Sequence, residues 1–531
     1  MIRTSRKTLL RTAGIGAAAA TASVAAPVAF ALGENGDGGG SEELDGSAKA
    51  AATASKRPEY HLSVPEGWKN DPQRPLWLDG RYLYYYLYNA DYGAAAEGTA
   101  WRLATSVDNV AYTDQGVAID KDTNADGDLW SGCAVIDTEN TAGFGAGAVV
   151  VLVTQEDHTR PTGSTQAQFL WYSTDGGTTF TAHGGPVLPN PGVLDFRDPK
   201  VIWDEDRAQW FMALAEGPEL GYYTSPDLKT WTAAGRFAPE GLSVLECPDL
   251  FWLDSDTGPG RWVLGVSTNT KGSGGFATYA YWTGDFDGAS FSPDRAEPQW
   301  LDHGFDWYGA VTWEKIVDGQ PDPNMRYARA WMNFWDYPYE TLTWESDGFN
   351  GTDSITREIT LKWYGDTECA LVSAPVAALT EHAVNRIELG DVEVEGRLEL
   401  DYVGLAYEVR TTISWTQLNN VGLQLRLSNW GSRHIDVGVF GDFAYVNRAA
   451  TWNPDRSARW HESHSPHDPA TTQVDLRILV DRTSIEVFVD DGRHVHSHLV
   501  FPEGGDDRIA LYTDGGKAVF GGLTITEFAP I

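Results

Sequence analysis

The chain has 531 residues, 42% hydrophobic and only 21% charged, enough to bury more than one core, so intrinsic disorder and a collagen-like fold are excluded. Its 75 acidic against 39 basic side chains leave a formal charge of −36, a field that repels phosphate backbones and excludes nucleic acid as a partner. The 22 Trp and 22 Tyr exceed what packing alone needs and point to neutral carbohydrate, whose apolar C–H faces lie well on flat rings.

At the start of the chain, Arg3, Arg6, Lys7 and Arg11 precede an apolar small-residue run from Ala13 to Ala26 and the A-x-A site Ala29-Phe30-Ala31. This predicts an export signal over residues 1–31, cleaved after Ala31. Residues 32–57, rich in Gly, Ser, Ala and acid, read as a flexible linker. No later stretch reaches the length of an apolar membrane span, so the mature chain is expected to be secreted, extracellular and free of the membrane. The three cysteines, Cys133, Cys247 and Cys369, are an odd number and build no disulfide framework; they read as small buried residues. The oligomeric state is not legible.

From Tyr60 onward, short aromatic and β-branched runs such as Tyr82 to Tyr88 and Ala148 to Val153 alternate with Gly, Asp, Asn and Pro turns. Polar positions recur at the starts of these groups: Asp71, Ser131, Asp198, Glu246 and Asp306, 48 to 67 residues apart. Propeller blades have comparable lengths and line the central channel with their first strands. The pattern predicts an all-β chain: a five-bladed β-propeller over residues 58–375, a linker at 376–388, then a β-sandwich over 389–531 with strands such as Arg477 to Asp481 and Ile485 to Val489. Ala374 to His382 is the best short helical candidate.

Chemistry belongs where carboxylates sit among apolar and aromatic residues. Asp71 is held by Pro72 beside Trp68 and Asn70; Glu246 lies in the apolar run Leu242 to Pro248, where burial would favour its protonated form; Asp198 follows Arg197, expected to keep it ionised. One nucleophile, one acid and one fixed anion are what retaining glycoside cleavage needs.

Trp68-Lys69-Asn70-Asp71-Pro72, Trp130-Ser131-Gly132-Cys133, Arg197-Asp198-Pro199 and Glu246-Cys247-Pro248, in this order, resemble the W-M-N-D-P, W/F-S-G-S, R-D-P and E-C-P motifs of glycoside hydrolase family 32, the β-fructofuranosidases. Arg357-Glu358, Trp331-Met332-Asn333 with Trp335, and Asp481 to Phe488 look like later landmarks of that family. The resemblance implies that Asp71 is the nucleophile, Glu246 the general acid and base, and Asp198 the transition-state stabiliser. It also implies a fructose subsite lined by Trp68, Asn70, Trp130, Ser131 and Arg197, and we add Gln73, Arg74, Cys247, Asp306, Tyr308 and Trp335 as candidate substrate contacts. Lys69, Gln73-Arg74 and Cys133 depart from the usual Met, Asn-Gly and Ser. Asn70 to Pro75 looks like the actinobacterial levan-degrading enzymes and levan fructotransferases, so the expected partner is levan, a β-2,6 fructan. Arg74, a planar multi-donor group in place of Gly, is expected to edge the pocket and favour that linkage.

Two further motifs read as structural. Asp122 to Gly127 matches half a calcium loop but has Cys133 where the closing Glu belongs, so it reads as a solvated acidic turn. His494, His496 and His498 alternate on a strand and read as an exposed face. No metal or other cofactor is expected. Three alternatives to a levan hydrolase remain open at this stage: an intramolecular transferase releasing a cyclic difructose, an inverting arabinan-type glycosidase, and a non-catalytic fructan-binding protein.

Overall fold

The computed structural model describes residues 55–94, 98–156, 165–269, 277–417, 419–451 and 461–531. The expected export signal and most of the expected linker lie outside them. Every large element is a strand, as the period-2 runs require.

Five sheets of four to six strands form the propeller, each built outward from an inner strand: Gly67–Pro72, Gly132–Asp137, Arg197–Asp204, Val244–Ser255 and Tyr308–Val317. Adjacent blades share apolar clusters. Tyr85, Trp101, Val151 and Trp171 pack blade 1 on blade 2, Leu152, Met212 and Trp210 join 2 to 3, Phe211, Leu264 and Trp282 join 3 to 4, and Tyr279, Trp307 and Leu371 join 4 to 5. The ring is closed by Phe349–Asn350, a segment of blade 5 that pairs in parallel with Gly67 and Trp68 of blade 1. At this seam Lys69 is fully buried; its Nζ lies 2.5 Å from Asp353 Oδ1 and over the Tyr86 ring. The departure from Met at this position is therefore a buried ion pair turned away from the channel.

Val376 and the 3₁₀ turn Ala377–His382 join the propeller to a ten-stranded sheet that wraps into a sandwich around Val409, Leu423, Ile478, Val487 and Ile525. The predicted helix from Ala374 and the predicted linker to 388 are both corrected. Ala374 and Pro375 end a propeller strand, and from Ala383 the chain already pairs with Phe528 at the start of a 21-residue strand. The predicted exposed histidine face is also overturned. His496 and His498 are fully buried, bonded to Ser463 and Ser465 of the neighbouring strand, because the propeller covers this edge. The backbone N–H groups of His303 and Phe305 donate to Val495 and Ser497 across the junction. Trp430 of the sandwich is 93% exposed. All three cysteines are buried and free. Among the described residues, no helix is long and apolar enough to cross a membrane.

Candidate active site

Asp71 lies near the end of the inner strand of blade 1, and Asp198 and Glu246 near the starts of those of blades 3 and 4, each where the strand breaks register with its neighbour. Such bulges re-aim a side chain, and here they turn three carboxyls into the channel mouth. Asp198 and the neighbouring Cys247 adopt left-handed backbone, φ 62° and 48°. Gly309 of blade 5 does the same at 62°, and a Cβ there would come within 2.8 Å of Asp71 Oδ1. Only glycine leaves room for that carboxylate.

The three acids share a pocket of about 940 Å³ with Trp68, Asn70, Trp130, Ser131, Arg197 and Trp335. Asp71 is buried; its Oδ2 accepts a hydrogen bond from the Ser131 hydroxyl at 2.7 Å, while Oδ1 has no hydrogen-bond partner among the described residues. Burial, opposed by the Ser131 bond and reinforced by the charge of Glu246, raises the Asp71 carboxyl to about 6. Asp198 accepts the Cys247 N–H at 2.9 Å, and burial pushes it up as well, against Arg197. This corrects the expectation that Arg197 simply holds Asp198 ionised. The guanidinium turns to Glu246 Oε1, with Nε at 3.1 Å and Nη2 at 2.9 Å, while its Nη1 meets Asp195 at 2.5 Å. Glu246 is therefore not sunk in apolar surroundings, since its other oxygen accepts the Tyr308 hydroxyl.

Five expected substrate contacts lie elsewhere. Tyr308 is buried and reaches the site only through Glu246. Cys247 sits beneath the floor, its Sγ 3.8 Å from Asp71 Oδ2 and 3.7 Å from Asp198 Oδ2, and burial keeps the thiol protonated. Gln73 braces the floor, accepting the Gly132 N–H at 2.8 Å and donating to the Asp71 carbonyl at 3.1 Å. Arg74 does not edge the pocket. The loop after the strand carries it down the axis, where it pairs with Glu314 in a network that includes Arg326, Lys200 and Asp249. Asp306 is fully buried against the sandwich, 2.6 Å from Arg448 and 2.8 Å from the Tyr337 hydroxyl, because its strand starts two residues later, at Tyr308.

The sequence reading missed Asn89, Tyr92, Asp128, Gln166, Asp195, Tyr339 and Trp344, which complete the pocket wall. Asp195 was within reach, two residues before Arg197 in a motif already singled out. The others come from strand ends (Asn89, Gln166), a turn (Tyr92), a short helix (Trp344) and loops (Asp128, Tyr339), and nothing in their spacing marks them.

A closed propeller whose axial pocket holds three acids at strand ends, beside aromatic walls and with one carboxylate oxygen unengaged, defines a glycosidase. Glycosyl hydrolases family 32, through its N-terminal domain, matches residues 61–375, and through its C-terminal domain residues 377–527; this chain belongs to that family and is a glycoside hydrolase. It is 50% identical over 493 residues to a levanbiose-producing levanase of Bacillus subtilis, covering 92% of this chain and 94% of that protein. A levanbiose-producing levanase of Geobacillus stearothermophilus is also 50% identical, over 75% of this chain and all of its own length. The exo-inulinase structure from Aspergillus awamori superposes with a TM-score of 0.80 at 27% identity, over 90% of this chain and 99% of that one.

Proposed function

We propose that this protein is a secreted hydrolase of β-2,6-linked levan, acting by double displacement with retention. Asp71 Oδ1 attacks the anomeric carbon of a fructosyl unit, the bond to the leaving oxygen breaks, and Glu246 gives that oxygen its proton. Water then adds to the anomeric carbon, returns a proton to Glu246 and frees Asp71. Asp198 holds ring hydroxyls whose bonds strengthen in the transition state, and Tyr308 and Arg197 position Glu246. The observation that carries the chemistry is the buried Asp71 carboxylate, whose Oδ1 has no hydrogen-bond partner among the described residues, in one pocket with Asp198 and the tethered Glu246. The levan assignment is supported by the two levanbiose-producing relatives. Export is supported by the basic, apolar, A-x-A-ended start of the chain.

The test is product analysis on levan, inulin and sucrose, with the anomeric configuration of the first product read by NMR. Levan is expected to be the best substrate and the first sugar released to be β. An α product overturns retention. A cyclic difructose makes the enzyme a transferase, and equal efficiency on sucrose and levan overturns the substrate assignment.

A further inference from the structure

The two flanks of the pocket differ in kind. Above blade 1 three aromatic rings from separate elements meet. They are Tyr92 of the turn Tyr92–Ala94, Tyr339 of the loop that follows the second strand of blade 5, and Trp344 of the short helix Thr343–Asp347. Tyr92 and Tyr339 lie 22° from parallel with centroids 6.3 Å apart, Trp344 stands edge-on to Tyr92 at 5.0 Å, and Trp68 lies 5.3 Å from Tyr339. A Cβ at Gly93 would come within 2.7 Å of the Trp344 ring, so the turn is shaped to that indole. Yet Tyr339 is 66% exposed and Trp344 37% exposed. Large aromatic faces left in water and continuous with a catalytic pocket call for an apolar ligand face. Beyond Trp130, the described residues of the opposite flank, from blades 2 to 4, are polar: Gln166, Asp195 and Arg197 lead to Glu246.

Glu246 protonates the leaving oxygen, so the departing chain runs along its own, polar flank. In a ring of five, blade 4 is separated from blade 1 by blade 5 on one side and by blades 2 and 3 on the other. The aromatic collar therefore faces the part of the fructosyl unit remote from the breaking bond. In a 2,6-linked chain the next unit toward the non-reducing end hangs there from the exocyclic 6-carbon, a flexible arm suited to a flat platform. The pocket is also much larger than one hexose needs.

We propose that Tyr92, Tyr339 and Trp344 form a subsite for this second fructosyl unit, so that the bond cut is the second from the chain end and a disaccharide leaves. This rests on the levan-hydrolase reading and adds what sets product length. The test compares the first products from levan for the wild type, Tyr339→Ala, Tyr339→Phe and Trp344→Ala. The wild type is expected to release disaccharide. Tyr339→Ala is expected to raise the ratio of fructose to disaccharide at least tenfold, and Tyr339→Phe, which keeps the ring, to leave it near wild type. Tyr339 is exposed, so its variants remain informative if Trp344→Ala fails to fold. An active Tyr339→Ala with an unchanged product ratio overturns the subsite, as does a wild type that releases only fructose; in both cases the levan-hydrolase reading stands. A folded Tyr339→Ala that turns over sucrose but no levan supports the subsite, and loss on both overturns it. Levan left intact by the wild type overturns the underlying reading itself.

Discussion

At the scale of single residues, the site is held in a state that costs stability. Asp71 has a carboxyl raised from 3.8 to about 6, so the native state binds its proton more tightly than the unfolded chain does. Folding stability therefore falls as pH rises from about 4 to 6, and above 6 the buried charge costs about 3 kcal/mol. Asp71→Asn is expected to melt higher than the wild type at pH 7.5, to match it near pH 4, and to lose turnover by at least a thousandfold; a lower melting point at pH 7.5 would contradict the buried-charge account. Arg74 behaves in the opposite way. It is stabilising, since its pair Glu314 keeps only Arg326 and some solvent once it is gone. Arg74→Ala is expected to cost about 2 kcal/mol in thermal unfolding while the ratio of kcat/KM on levan to that on sucrose stays within twofold. The contrast shows what the sequence discloses. The three acids stand out because a carboxylate inside an apolar run has few reasons to be there. Arg74 was misread as a pocket edge because its partner is 240 residues away, and no local pattern marks a charge that is satisfied on the axis.

The inner strands of four blades break register, near the end of the strand in blade 1 and near the start in blades 3, 4 and 5, and the breaks decide what enters the pocket. Left-handed backbone at Asp198 and Cys247 costs about 1 kcal/mol per residue, tolerated because the Thr154 hydroxyl accepts the Asp198 N–H and the Cys247 N–H donates to the turned Asp198 carboxylate. Gly309→Ala is the cleanest probe of this geometry: about 1 kcal/mol of backbone strain, and a methyl group against Asp71 Oδ1. The expected outcome is a folded protein, seen by unchanged far-UV circular dichroism, with kcat reduced at least a hundredfold. Retained activity would mean that Asp71 has another approach to its substrate. The spacing of polar positions placed these inner strands well, since one repeat brings one strand to the axis. It misplaced Asp306, which obeys the spacing yet lies two residues ahead of its strand and turns outward to Arg448. Period-2 alternation likewise put His494, His496 and His498 on one face correctly, but alternation cannot say that another domain covers that face.

In the molecule as a whole, propeller and sandwich are joined by buried charge as well as by apolar contact. Arg357 of blade 5 reaches Asp302 at 2.8 Å and Glu486 of the sandwich at 2.7 Å. His61, on the segment leading into blade 1, lies 2.9 Å from both Asp481 and Glu486, and Asp481 also accepts the backbone N–H groups of Glu59, Tyr60 and His61. The segment Asp481 to Phe488, legible only as a landmark, is thus the cradle into which the start of the propeller docks. A propeller cut at residue 376 would strip His61 of Asp481 and Glu486, Arg357 of Glu486 and Asp306 of Arg448, and it is expected to be insoluble or to melt far below the full chain. His61 gives this junction a pH limit. Burial alone would lower its pKa, but Asp481 and Glu486 outweigh that and raise it from 6.5 to about 9. The folded state then holds a proton that the unfolded chain releases above 6.5. The contribution of these contacts is complete below pH 6.5 and is lost as pH rises through 9, about 3 kcal/mol in all. His61→Gln is expected to melt lower than the wild type at pH 6, and the gap is expected to narrow steadily to pH 9.5; a constant gap across that range would show that the imidazole is neutral in the folded protein.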